Sequence, residues 1–145
     1  MSEWRSQASA VAKRLTWRGR AGCAATIAIL IALAYTPGLA SWSLLPGYAS
    51  MIASLLLGAI SLHLLFDATL FRLAALSGTE NDGLAAIDRV LSLGGCRAMP
   101  ETVRPLADRI AGTDRILRRQ AIAFAVTAAL FGAHLTSIAL QETMS

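Results

Sequence analysis

Apolar residues fall in long blocks along this chain, and polar ones gather between the blocks. From Ala21 to about Ser41 (AGCAATIAILIALAYTPGLAS) there is no charged residue, and the same holds from Tyr48 to Phe66 and from Gln120 to about Leu140. A helix needs roughly 20 predominantly apolar residues to cross about 30 Å of hydrocarbon, so the blocks predict three transmembrane helices. The first covers residues 21–41 and stops or kinks near Pro37-Gly38, because proline clashes with the preceding helical turn. Trp17 precedes it and Tyr35 and Trp42 lie near its far end, as suits rings that favour the membrane interfaces. Ser43 to Gly47 reads as a tight turn broken by Pro46-Gly47. The second helix spans residues 48–76. It is longer than the hydrocarbon is thick, so its last turns, with Asp67 and Arg72, are expected in water or headgroups.

Residues 77–113 read as a loop holding two short amphipathic helices. Ser77 to Gly83 is a polar breaker cluster. Leu84, Ile87, Val90 and Leu91 then recur at helical spacing up to Gly94-Gly95. Pro100-Glu101 opens the second helix, with Val103, Leu106, Ala107 and Ile110 on one face and an interruption at Gly112. Thr113 is the expected N-cap of the third span, residues 114–140, and 141–145 form a short tail. Residues 1–20 are basic, with Trp4, Ala8, Val11 and Leu15 at helical spacing. Two readings of them stand: an interfacial helix on an anionic leaflet, or a disordered tail.

Composition agrees with the pattern. Hydrophobic residues make up 55% of the 145 and charged ones 15%, against roughly 45–50% and 25% in soluble domains. A soluble or disordered chain is excluded. The expected fold is an all-α integral membrane protein. The net charge of +4 looks at first like a nucleic-acid signal. However, five of the 13 basic residues precede residue 21, and the other eight lie between Arg72 and Arg119. With three spans these groups share one side, and the 43–47 turn and the tail share the other with none. The positive-inside rule then gives N-in, C-out topology, with the lipid bilayer and not nucleic acid as partner. Twelve arginines to one lysine fit a GC-rich bacterial coding bias, hence a bacterial inner membrane and a periplasmic C-terminus. A competing reading makes residues 1–40 a cleaved signal peptide, with Gly38 and Ala40 at the small positions; the long basic and apolar regions favour a span.

Ionisable residues inside spans are candidate functional residues. His63 and Asp67 stand four apart on one face of the second helix, so the carboxylate could orient the imidazole toward a haem or metal. His134 lies in the third, with Thr127 and Ser137 on roughly its face. At 1.5 Å per residue His63 sits about 22 Å, and His134 about 9 Å, from the outer helix end, an unequal pair for clamping one haem. The simpler expectation is that both are hydrogen-bonded across helices. The stretch His63-Leu64-Leu65-Phe66-Asp67 resembles the histidine-to-aspartate stretch of the small three-span anchor subunits of succinate dehydrogenase, whose histidine ligates haem. It covers five residues. The arginine expected before the histidine is Leu62, the loop to the third span is far longer than theirs, and the family is not assigned.

Cys23 and Cys96 offer neither a disulfide nor a zinc pattern. No phosphate-binding glycine loop or nucleophile elbow occurs, so no catalysis is expected. Asp-Arg pairs recur at 88–89, 108–109 and 114–115, expected mainly as a solvated face of mixed charge, the alternative being pairs between the two short helices or with a partner subunit. Ala121, Ala125, Ala129 and Ala133 form a small-residue stripe, echoed by Ala24, Ala28 and Ala32 and by Ser54 with Gly58; packing inside the bundle is the expectation, a partner-facing stripe the alternative. The functional expectation is a non-enzymatic accessory, scaffold or assembly subunit of a larger inner-membrane complex, with other membrane subunits as partners. One alternative is a haem- or quinone-associated anchor using His63, Asp67 and His134. A second is a homo-oligomeric pore or holin-like protein.

Overall fold

Four helices carry the chain in a computed structural model that describes residues 2–36, 44–94 and 104–144: α1 (Glu3–Tyr35), α2 (Leu44–Ala75), α3 (Glu80–Leu93) and α4 (Leu106–Met144). No strand occurs among the described residues. Three of the helices, α1, α2 and α4, are long and apolar enough to cross a membrane. Pro37, Gly38, Trp42 and Cys96, and the start of the second short helix at Pro100, lie outside the described residues.

The long helices outrun the blocks that predict them. Residues 3–20 and the first apolar block as far as Tyr35 are one helix of 33 residues. The α2 helix begins at Leu44 and takes Pro46 into its first turn, where the missing N–H would have had no helical partner. Thr79 caps α3: its Oγ1 accepts a hydrogen bond of 3.2 Å from the Asp82 amide and donates one of 2.7 Å to the Asp82 carboxylate. This capping arrangement starts the helix at Glu80, inside the stretch expected to be loop. Through Gly112 α4 runs without a break. There Thr113 Oγ1 bonds back to the Arg109 carbonyl at 2.9 Å, so this threonine sits inside a helix instead of starting one.

The chain divides into two units, residues 1–19 with 63–117 and residues 20–62 with 118–145. The first unit is built as in a soluble protein. Ala8, Val11, Ala12 and Leu15 of α1 join Leu64, Ala68, Leu70, Phe71 and Ala74 of α2, Leu84 and Ile87 of α3, and Leu106 of α4 in one apolar core, with Trp4 against it. Burying a leucine or phenylalanine contributes roughly 1.5–3 kcal/mol. The N-terminal stripe, which the interfacial-helix reading turns toward a leaflet and the other leaves in a disordered tail, is helical and covered by protein. Arg5 donates to the carbonyls of Ser77 and Gly78 at 2.6 and 2.9 Å, just past the C-terminus of α2, where a cation complements the helix dipole. A Cβ on Gly83 would lie 2.8 Å from the Ala74 carbonyl; glycine is what lets α3 approach α2.

The Asp-Arg pairs act within this unit. Asp88 of the first binds Arg109 of the second at 2.7 Å, with side chains 5% and 11% exposed. Asp114 of the third binds Arg14 of α1 in the open. Asp88–Arg109 is thus a buried pair between two helices in place of the expected solvated face, while Arg89, Asp108 and Arg115 are exposed.

The second unit is built the other way round. Leu57 is its only buried hydrophobic residue among those described; the rest of its interior is Gly22, Thr26, Gly47, Ser50, Ser54, Ser61, Gln120, Thr127 and His134. Ile27, Ile31, Leu55, Leu56, Ile122, Phe124 and Val126 face outward. Ala121, Ala125, Ala129 and Ala133 face outward too, as do Ala24 and Ala28. The alanine stripe therefore does not pack inside, contrary to expectation. The inward face of α4 is instead the seven-residue repeat Gln120, Thr127, His134, two turns apart.

Candidate functional site

Small hydroxyl side chains can form a helix interior because they satisfy themselves on their own helix. Ser54, Ser61 and Thr127 donate to the carbonyls four residues back at 2.8, 2.7 and 2.8 Å, leaving short, nearly neutral surfaces that let backbones come close. Thr26 Oγ1 reaches the Gly22 carbonyl at 3.0 Å and also, across to α2, the Ser54 carbonyl at 3.3 Å. Gln120 Nε2 donates to Ser61 Oγ at 3.0 Å. A Cβ on Gly22 would collide with Ser61 Oγ and sit 2.6 Å from Gln120 Nε2. Gly22, Ser61 and Gln120 thus make a junction of three helices.

His134 lies on the same inward face and is fully buried, at 0% exposure. Neither of its ring nitrogens has a hydrogen-bond partner, and the buried Ser50 hydroxyl likewise lacks one. Leaving a buried polar group unpaired costs roughly 1–3 kcal/mol, so the ring and the Ser50 hydroxyl stand apart from the back-bonded hydroxyls around them. It lines a cavity of about 200 Å³ with Leu30, Leu33, Ala34, Gly47, Tyr48 and Met51. The expectation of a histidine hydrogen-bonded across helices fails here in its second half: burial is present, the partner is not.

His63 belongs to the first unit and is exposed. Its Nε2 stands 3.8 Å from Asp67 Oδ2, too long for a hydrogen bond. Asp67 also borders a separate cavity of about 200 Å³ in that unit with Phe71, Arg104, Asp108 and Arg109 among its lining. The structure thus brings His63 and Asp67 together and puts His134 in the other unit. Among the described residues no group of three or more histidine, cysteine, aspartate or glutamate side chains could hold a metal ion.

The unpartnered state of His134 was not readable from spacing, but the repeat 120–127–134 was a usable signal. Three polar residues seven apart on an otherwise apolar helix mark one face. No family model, curated protein or solved structure matches this chain.

Proposed function

We propose that this chain is a non-enzymatic multi-pass protein of a bacterial inner membrane, with its N-terminus in the cytoplasm and its C-terminus in the periplasm, and that it serves as an accessory, scaffold or assembly subunit of a larger membrane complex. One observation carries the partner role. The alanine face of α4 is exposed along residues 121, 125, 129 and 133, while the contacts inside its own unit use the opposite, polar face. In lipid, helices associate through close backbone approach at small residues, and this face is left for a helix of another chain. The orientation rests on the basic residues, which flank the spans on one side only.

The test is purification in mild detergent with mass spectrometry of co-purifying chains, for the wild type and for the Ala125→Leu/Ala129→Leu variant. Other membrane proteins should accompany the wild type and be lost from the variant. A wild-type chain recovered alone, as a monomer or as a homo-oligomer, would overturn the accessory role.

A further inference from the structure

We infer that His134 and the cavity beside it bind a single-ring molecule bearing a carbonyl or hydroxyl oxygen, the chemistry of a quinone or quinol head group. The inference stands on the second unit alone and holds whether or not the chain has partner subunits.

Three features select this ligand class. The first is size: about 200 Å³ exceeds the roughly 150 Å³ that holds one benzene, leaving room for a substituted ring. The second is the wall. Leu30, Leu33, Ala34 and Met51 give it an apolar surface, and apart from the Tyr48 phenol the only polar side chain is His134. Such a wall with few polar groups is the usual make-up of a small-molecule site. The third is the unmet demand of the imidazole. Its two nitrogens are both without partners, and in its neutral form the ring has one donor and one acceptor to satisfy. A carbonyl accepts from the donor; a hydroxyl gives to the acceptor or accepts from the donor. Water is the competing occupant, but a stable buried water needs two to four polar partners, and this wall is mostly hydrocarbon.

The same ring chemistry reaches the cavity either from the bilayer, on an isoprenoid or alkyl tail, or from water without one. The experiment therefore uses the full chain in lipid nanodiscs with ¹⁵N-labelled histidine, titrated with decyl-substituted benzoquinone and, separately, with the tail-less dimethoxy-methyl-benzoquinone. Saturable ring-nitrogen shifts at His134, with His63 unmoved, are expected. Tighter binding of the decyl compound assigns the bilayer as the source; equal binding assigns a soluble ring, and both support the site. His134→Leu should weaken binding about tenfold, the loss of one hydrogen bond. Ala34→Phe, which fills the cavity and leaves the histidine in place, should abolish it, and this variant decides the matter if His134→Leu fails to fold. Absence of a saturable shift with either quinone would overturn the inference. So would unchanged binding in either folded variant, which would mean partition into the lipid only.

Discussion

Gly83 and Gly112 are both helical glycines, yet an added methyl group meets opposite surroundings. At Gly83 it would press on the Ala74 backbone, and at Gly112 it meets nothing within 4 Å. Alanine gains about 1 kcal/mol of helix propensity over glycine, while forcing atoms into a packed contact costs typically ~1–3 kcal/mol. Gly112→Ala should therefore raise the thermal midpoint in detergent and Gly83→Ala should lower it. The same direction of change in both would contradict the close approach of α3 to α2. Charge pairs separate in the same way. Asp88→Ala strands the Arg109 guanidinium, only 11% exposed, and breaking a buried pair costs about 3–5 kcal/mol. Asp114→Ala removes an open contact with Arg14, where surface pairs contribute roughly 0–1 kcal/mol. Equal losses in the two variants would show that the Asp88–Arg109 pair is not buried.

At the scale of elements, the sequence made the three apolar helices legible because charge is absent from 21–62 and 120–141 except at a histidine, and no soluble fold needs such blocks. It left their ends and faces illegible. Gly112 looked like a break, but one glycine costs a helix only about 1 kcal/mol, and α4 continues on both sides of it. Alanine looked like the packing residue, since small residues permit close approach. In this chain serine and threonine are small too, and their back-bonds to the preceding turn cancel the polarity that would argue for an outward position. Hence Ser54, Ser61 and Thr127 are buried and Ala125 and Ala129 are exposed. It follows that Ala125→Leu/Ala129→Leu should leave the thermal stability of the isolated chain within about 0.5 kcal/mol, as for ordinary surface changes. Gly22→Ala, at the Ser61–Gln120 junction, should lower it by about 1–3 kcal/mol. A large loss in the double-leucine variant would return the alanine stripe to the interior. Of the candidate site, His134 was legible as a residue, but its lack of partners was not, because that depends on what two other helices bring to it.

For the whole molecule, the charge distribution carries the argument. The second unit holds only four charged residues, Arg20, Arg118, Arg119 and Glu142, all toward the ends of its two segments. Between them, among the described residues, its outer surface is mostly leucine, isoleucine, valine, phenylalanine and alanine, and its interior is mostly glycine, hydroxyl and amide, with Leu57 and His134. Water would disfavour that arrangement, since the apolar area stays outside; a bilayer favours it. The first unit, with its apolar core and exposed arginines, is suited to water. The central claim is a three-span protein whose basic segments share one side, and reporter fusions test it most directly. Alkaline phosphatase and a fluorescent protein active only in the cytoplasm are fused in turn at Ser77 and after Ser145. The account predicts a cytoplasmic signal at Ser77 and a periplasmic one after Ser145. Both positions reporting the same side would contradict it.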